Sequence, residues 1–139
     1  MSDRRVYVDT SAYLAVLLGE AGHGRVARAM TGARLLSSSL LVLEAGRTLV
    51  RLSREGTIPP PVLQKLLRRV EEDVELFLLR DLTLDLCRGM AFPVVSTPRS
   101  LDLAHLRPAL WFHAQEPLHR FLSLDEPQLL AARELGLPA

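Results

Sequence analysis

Four carboxylates stand where a lone acid needs a reason: Asp9, Glu44, Asp102 and Asp125. Asp9 follows the apolar run Val6-Tyr7-Val8 and precedes Thr10, Ser11 and a second apolar run, Ala12 to Leu18. Asp125 repeats the pattern in FLSLDEPQLL, with Ser123 two residues before it. Glu44 interrupts Leu40, Leu41, Val42, Leu43 and Ala45, and Asp102 lies three residues before His105 in SLDLAHL. Each acid has a local explanation. Asp9 and Asp125 can cap helices, Asp102 can complement a helix dipole while Ser100 caps, and Glu44 can pair with Arg47 or Thr48 or reach solvent. Convergence would give them a different chemistry. Oxygen ligands from Asp and Glu suit Mg²⁺ or Mn²⁺, and several like charges cannot share a pocket at neutral pH without a cation. Mg²⁺ keeps waters and binds substrate phosphate, which points to phosphoryl transfer.

The neighbouring polar residues fit a supporting role. Thr10, Ser11 and Ser123 can donate to a carboxylate or to phosphate, and Ser11 or Thr10 can equally cap the following helix. Arg99 can touch a phosphate, pair with a site acid or sit as a solvated charge. His105 shares a helix face with Asp102 and reads as packed support rather than a catalytic base. His23, His113 and His119 show no ligand spacing, which argues against a histidine zinc site.

Strands must alternate with helices to bring these acids together. Val6 to Val8 reads as a strand, Ala12 to Leu18 as a helix that Gly19 and Gly22 end, and Gly24 to Met30 as a second short helix. Arg34 to Ser37 reads as a strand, and Ser37-Ser38-Ser39 supplies caps for a long helix from Leu40 to Arg54. Beyond Gly56 and Pro59-Pro60-Pro61, Val62, Leu63, Leu66, Leu67 and Val70 recur at helical spacing, so a helix is expected to Glu72 and a strand over Val74 to Leu79. Thr83 caps a helix ending near Gly89. Ser96-Thr97-Pro98 breaks the chain, Ser100 starts a helix through Phe112, Arg120 to Leu124 is strand-like, and Pro127 to Leu135 is a last helix. This alternation predicts one three-layer α/β/α domain over residues 1–139, with a mainly parallel sheet of four or five short strands.

Composition narrows the function classes. With 139 residues, 48% of them apolar, the chain can bury a sizeable core, and 17 Lys and Arg against 16 Asp and Glu exclude a strongly basic nucleic-acid binder. Phosphate contacts would come from a local patch. Arg47, Arg51 and Arg54 with Lys65, Arg68 and Arg69 can form such a rim or simply a solvated face. Cys87 is the only cysteine, which excludes an internal disulfide, favours a reducing compartment and, beside Leu86 and Met90, suggests a partly buried thiol. Arg4 and Arg5 before apolar residues resemble a signal sequence, but Asp9 breaks the run and Ala12 to Leu18 is far short of the roughly 20 residues of a membrane span. A soluble cytoplasmic protein is expected. Tyr7 and Tyr13 suit core or dimer packing, and with Trp111 offer few stacking platforms for bases.

At the four acids the sequence resembles the PIN-domain family of metal-dependent nucleases, and within it the VapC ribonuclease toxins of VapBC toxin–antitoxin systems. The first matching motif is Asp9-Thr10-Ser11 after a strand. The second is Glu44 in Ser-x-x-x-x-x-Glu, the third is Arg99, Leu101, Asp102 and His105 in Arg-x-Leu-Asp-x-x-His, and the fourth is Ser123 and Asp125, followed by Ala131 to Gly136. The motifs occur in family order and span almost the whole chain. Two features depart from the pattern: relatives often continue beyond Leu137-Pro138-Ala139 into another edge strand, and Pro98 and Pro108 flank or interrupt the third motif.

The resemblance implies that Asp9, Glu44, Asp102 and Asp125 hold one or two Mg²⁺ or Mn²⁺ ions and that RNA is hydrolysed to 5′-phosphate and 3′-hydroxyl ends. It also implies a homodimer, a small antitoxin that covers the acidic pocket, and contact with DNA only through that antitoxin. The alternatives are a PIN-domain RNase without an antitoxin and a catalytically silent PIN-like scaffold for protein or RNA. An aspartyl phosphatase of the haloacid-dehalogenase kind would need a second Asp at position 11, which is Ser11. A response-regulator receiver would need a late lysine, and the only one is Lys65.

Overall fold

Val6, Tyr7 and Val8 are buried on both faces of their strand, as the central strand of a parallel sheet requires. The computed structural model describes residues 4–88, 94–96 and 99–139. Its elements are β1 (Arg5–Val8), α1 (Thr10–Leu18), α2 (His23–Met30), β2 (Arg34–Ser38), α3 (Leu40–Arg54), α4 (Pro60–Val74), β3 (Phe77–Arg80), α5 (Leu84–Cys87), α6 (Ser100–Gln115), β4 (Arg120–Leu122) and α7 (Glu126–Glu134). The four strands form one wholly parallel sheet in the order β3-β2-β1-β4.

Helices cover both faces of this sheet, and strand alternation assigns the side chains. Val6, Val8 and Leu122 join the core formed with α1 to α4, whereas Tyr7, Leu36 and Phe121 join the core formed with α6 and α7. Tyr7 and Phe121 are register partners across β1 and β4, and their rings stack with centroids 5.3 Å apart. Truncating either fully buried aromatic to Ala removes enough packing to cost about 3–5 kcal/mol.

The strand order places a crevice. From β1 the chain moves outward through β2 to β3, then returns to add β4 on the other side of β1. Such a reversal opens a cleft at the carboxyl ends of the two neighbouring strands. Asp9 follows β1 and Asp125 follows β4, so both acids enter that cleft.

The buried Arg5 is explained at the opposite end of the sheet. Its guanidinium donates to the carbonyls of Phe112 and Glu116 and lies 3.6 Å from the Glu116 carboxylate, so a cation caps the carboxyl end of α6. Its backbone N–H donates to His119 Nδ1 at 3.1 Å.

Several sequence expectations need correction. The third strand begins at Phe77 and not at Val74, because α4 carries its apolar stripe through Val70 to Val74 and ends where Leu76 N–H bonds Asp73 O at 2.9 Å. Neither Ser11 nor Thr10 caps α1. Asp9 does, its Oδ1 accepting from Ala12 N–H at 2.9 Å, and Gly19 closes the helix in the left-handed region at φ 66°. Of the three serines before α3, only Ser38 bonds the helix start, accepting from Leu40 N–H at 3.1 Å, while Ser37 donates to Val8 O. Thr83 precedes α5 without a side-chain capping bond, and Arg99, not Ser100, stands at the cap position of α6. Cys87 is exposed, because α5 turns Leu86 inward instead. β4 ends at Leu122, since Leu124 and Asp125 turn back through hydrogen bonds to Ser11 and Ser123. Pro108 lies within α6 without ending it. Beyond β4 the described residues add a single ladder-like bond, Phe121 N–H to Pro138 O at 2.9 Å, and no fifth strand. Gly89, Met90, Thr97 and Pro98 lie outside the described residues. Among the described residues no helix is long and apolar enough to cross a membrane.

Candidate active site

Asp9 is held at the mouth of β1 by the ladder itself, its N–H donating to Leu122 O at 3.0 Å and its carbonyl accepting from Tyr13 N–H at 3.1 Å. The side chain is only 2% exposed, and Oδ1 accepts from Ser11 Oγ at 2.7 Å as well as from Ala12 N–H. Burial pushes its pKa above the ordinary carboxylate range, against the opposing pull of Ser123, His105, Ala12 and Ser11. A raised pKa means that the ionised carboxylate is under-compensated by its protein neighbours. A cation beside it would correct this.

Ser11 and Ser123 serve that carboxylate from behind. Ser11 Oγ accepts from Leu124 N–H at 2.9 Å while donating to Asp9, and it lies 3.3 Å from Ser123 Oγ, which accepts from Asp125 N–H at 3.0 Å. Two hydroxyls therefore tie the turn after β1 to the turn after β4. Ser11 is a tether between strand ends and not a helix cap.

Glu44 projects from the second turn of α3 and finds its partners far away in sequence. Thr10 Oγ1 donates to Glu44 Oε1 at 2.6 Å, and His105 Nε2 lies 2.9 Å from the same oxygen. Neither Arg47 nor Thr48 is its hydrogen-bond partner, because the helix turns the carboxylate toward α1 and α6. Burial opposes its ionisation, but the bonds from His105 and Thr10, with the charges of His105 and Arg47, outweigh it and hold the pKa below the ordinary range. The surrounding helix is less apolar in space than in sequence, since Leu43 is 70% exposed.

His105 is buried in a network that defines its hydrogen positions. Tyr7 Oη lies 3.0 Å from Nδ1, and Nε2 faces both Glu44 and Thr10 Oγ1, the latter at 2.9 Å. An acceptor-only carboxylate at Nε2 requires a hydrogen there, so in the neutral ring Tyr7 donates to Nδ1. Burial raises the Tyr7 pKa well above its ordinary value, which keeps the phenol protonated for this bond.

Asp102 and Asp125 are arranged differently. Arg99, at the start of α6, donates from Nε to Asp102 Oδ2 at 2.8 Å and from a terminal nitrogen to Asp125 Oδ2 at 3.0 Å. Its side chain is 62% exposed, while Asp102 is buried and Asp125 about one-third exposed. Both carboxylates raise the Arg99 pKa further, Asp102 more strongly. One guanidinium thus neutralises two acids from separate segments.

All four acids line one pocket of about 350 Å³, together with Thr10, Ser11, Arg99, His105 and Gln128. No family model and no curated protein matches this chain. The donor set is nevertheless specific in chemistry: four carboxylates, no thiolate and one imidazole already occupied by protein partners. Such oxygen donors fit a hard divalent cation, and the under-compensated Asp9 fits the charge of one. The acids stand around the pocket instead of at common coordination distance, and among the described residues no three His, Cys, Asp or Glu side chains form a ready-made shell. A cation would draw in Asp102 and Asp125 by displacing Arg99, since a guanidinium and a metal cannot occupy the same oxygens.

Two contributors escaped the sequence reading. Tyr7 packs as its sequence context suggests, and its hydroxyl also orients His105. Gln128 was not singled out, although it falls on the buried stripe of α7 with Ala131 and Ala132, where a long polar side chain is out of place. The proposed basic rim is partly neutralised: Arg51 pairs with Glu55 at 3.3 Å and Arg69 with Asp73 at 3.0 Å. Tyr13 is a core residue whose hydroxyl donates to Asp73 at 2.8 Å. Trp111 carries the Arg80 guanidinium 4.6 Å from its ring centroid. His23 Nδ1 is bonded to Glu20 O, and the Nδ1 atoms of His113 and His119 accept from backbone N–H groups.

Proposed function

We propose that this protein is a metal-dependent endoribonuclease of PIN-domain type, acting on RNA phosphodiester bonds, and that it is the toxin of a cytoplasmic toxin–antitoxin pair. The observation that carries the proposal is the convergence of Asp9, Glu44, Asp102 and Asp125, from four separate segments, on one pocket at the sheet's switch point. Acids spread over the chain for capping alone have no reason to share a cavity.

Asp9, Glu44, Asp102 and Asp125 would hold Mg²⁺ or Mn²⁺, Glu44 from α3 and the others from the ends of β1 and β4 and the start of α6. When bound, such an ion supplies a water of lowered pKa and charge compensation at the phosphodiester. The protein's own residues then divide the remaining work. Glu44, kept ionised by Thr10 and His105, accepts a hydrogen bond from the attacking water and helps orient it. Ser11 and Ser123 fix the Asp9 carboxylate, and Arg99, once released from Asp102 and Asp125, is placed to bind a phosphate oxygen.

A protein partner is supported by apolar exposure beside the pocket. Leu101 lines it and is 58% exposed, and a second groove of about 210 Å³, formed by Leu82, Leu86, Leu103 and Ala104, meets it at Ser100. Such a surface favours cover by an antitoxin or a second copy.

An RNA cleavage assay with Mg²⁺ or Mn²⁺, with EDTA, and with Asp9→Asn tests the chemistry. Cleavage abolished by both treatments supports the proposal, and cleavage that survives both sinks it. A short reading frame for a DNA-binding protein immediately upstream of the gene supports the toxin assignment over an RNase acting without an antitoxin.

A further inference from the structure

Gln128 Nε2 is a buried side-chain nitrogen with no hydrogen-bond partner among the described residues. The residue is 3% exposed and lines the acidic pocket. Buried amides are almost always satisfied within the fold, because an orphaned donor retains its full desolvation penalty. This one is also rigidly carried. Pro127 and the Asp125 carbonyl, which accepts from Leu129 N–H at 3.0 Å, fix the first turn of α7, and Ala131 and Ala132 anchor the same helical stripe in the core.

The chemistry of the pocket decides what the donor is for. The unpartnered atom is Nε2, and an N–H donor cannot ligate a hard cation; only the amide oxygen could, and the Mn²⁺ dependence of a Gln128 variant reports on that. The carboxylates are acceptors, but the bonds they receive come from Ser11, Ala12, Thr10, His105 and Arg99, and none lies within hydrogen-bond reach of Gln128 Nε2. What remains is an oxygen that enters with the substrate. We propose that Gln128 is a substrate-binding residue whose side-chain N–H donates to a non-bridging oxygen of the phosphodiester held in the acidic pocket. This rests on the nuclease reading of that pocket. A neutral donor suits the position, since it reads a phosphate oxygen without competing with the metal for the acids, as a Lys or Arg there would. Arg99 binds phosphate only after leaving its carboxylates, whereas Gln128 needs no rearrangement. Gln128 therefore acts on substrate affinity and orientation and not on metal affinity.

The test uses the full chain with Gln128→Leu, Gln128→Glu and wild type, and three measurements. The first is thermal stability without metal. Gln128→Leu, which removes the orphan and keeps the volume, should raise Tm by about 3 °C or more, and a fall of that size would show that the amide is satisfied inside the fold and overturn the inference. The second is Mn²⁺-dependent cleavage of a single-stranded RNA, where Gln128→Leu should raise KM about tenfold or more while the Mn²⁺ concentration for half-maximal rate stays within twofold. Gln128→Glu, isosteric but anionic, should lose more than Gln128→Leu. The third is binding of the same RNA in Ca²⁺, followed by fluorescence anisotropy, where Gln128→Leu should weaken affinity about tenfold.

The outcomes separate the two claims. Wild type that cleaves, beside a Gln128→Leu that binds and cleaves within twofold of it, overturns the role of Gln128 and leaves the nuclease reading standing. Wild type that binds RNA through Gln128 but never cleaves overturns the nuclease reading and leaves the phosphate contact standing. Wild type that neither binds nor cleaves overturns both.

Discussion

The two walls of the acidic pocket are built on opposite plans. On one, Tyr7, Thr10, Glu44 and His105 satisfy one another through bonds of 2.6 to 3.0 Å, and His105 and Tyr7 are buried. On the other, Asp102 and Asp125 are joined through the exposed guanidinium of Arg99. The first wall is hydrogen-bonded by groups that cannot leave without disturbing the core. The second is neutralised by a side chain that needs only to rotate into water. A site that takes up a cation needs both: fixed acids to define where it goes, and a dispensable charge that keeps the fold stable before it arrives.

The strongest way to break the comparison is at Asp9, whose carboxylate is bonded by Ser11 and Ala12 and joins neither network. Asp9→Asn keeps the acceptor that caps α1 but removes the charge. It should lower metal-dependent cleavage roughly 10³-fold, the size expected when about 4 kcal/mol of transition-state stabilisation is lost. The same substitution should raise Tm, because a buried, under-compensated charge disappears. A joint loss of activity and stability would show that the Asp9 charge supports the fold and would contradict its under-compensation.

The fixed wall is tested next. His105→Ala leaves the Tyr7 hydroxyl and the Glu44 carboxylate without their buried partner, so urea unfolding should show a loss of about 2–3 kcal/mol. A change below 0.5 kcal/mol would mean that the network is not built as described. The movable wall should respond differently. Arg99→Ala should destabilise less than His105→Ala, because the guanidinium is exposed to solvent although its partner Asp102 is buried. It should also tighten Mn²⁺ binding several-fold in calorimetric titration by releasing Asp102 and Asp125. Weaker binding would contradict the view of Arg99 as a stand-in cation.

The smallest effects are in pH dependence, and they have opposite signs at Asp9 and Glu44. The Asp9 pKa is raised by folding, so its contribution to stability is full below the ordinary value of 3.8 and is lost as pH rises through the folded value. Asp9→Asn should therefore gain on wild type as pH increases from about 4. The Glu44 pKa is lowered, so its contribution is present above the ordinary value of 4.5 and is lost as pH falls through the folded one. Glu44→Gln should be less stable than wild type at neutral pH, with the deficit closing in acid. Chemical denaturation of both variants between pH 3 and 7 distinguishes the two slopes.

Much of this arrangement was legible in the chain. Hydrophobic runs and glycine or proline stops located the elements, and the alternation of strand and helix implied the parallel sheet. Long-range partnerships were not legible. Glu44 was read against Arg47 and Thr48 because those residues are one turn away, whereas the fold delivers Thr10 and His105 from 34 and 61 residues distant. Capping was misassigned for a related reason. Ser, Thr and Asp are interchangeable as cap residues, and only the strand ladder, by fixing the backbone of Asp9, decides which of them faces the helix. Tyr7 shows the limit most clearly, since nothing in Val-Tyr-Val says whether the phenol ends in apolar packing or against an imidazole.

The position of β4 has a consequence for the time at which the pocket comes into being. It is the last of the described strands, yet it pairs with the first, and the turn and helix after it carry Ser123, Asp125 and Gln128. On a translating ribosome, where chains grow at about 5–20 residues per second, the segment bearing Asp9 and Glu44 emerges long before that turn does. Until residues beyond 120 leave the exit tunnel, the pocket lacks Asp125 and Gln128. Whatever chemistry the pocket performs therefore waits for the β4–α7 segment to emerge and dock against β1.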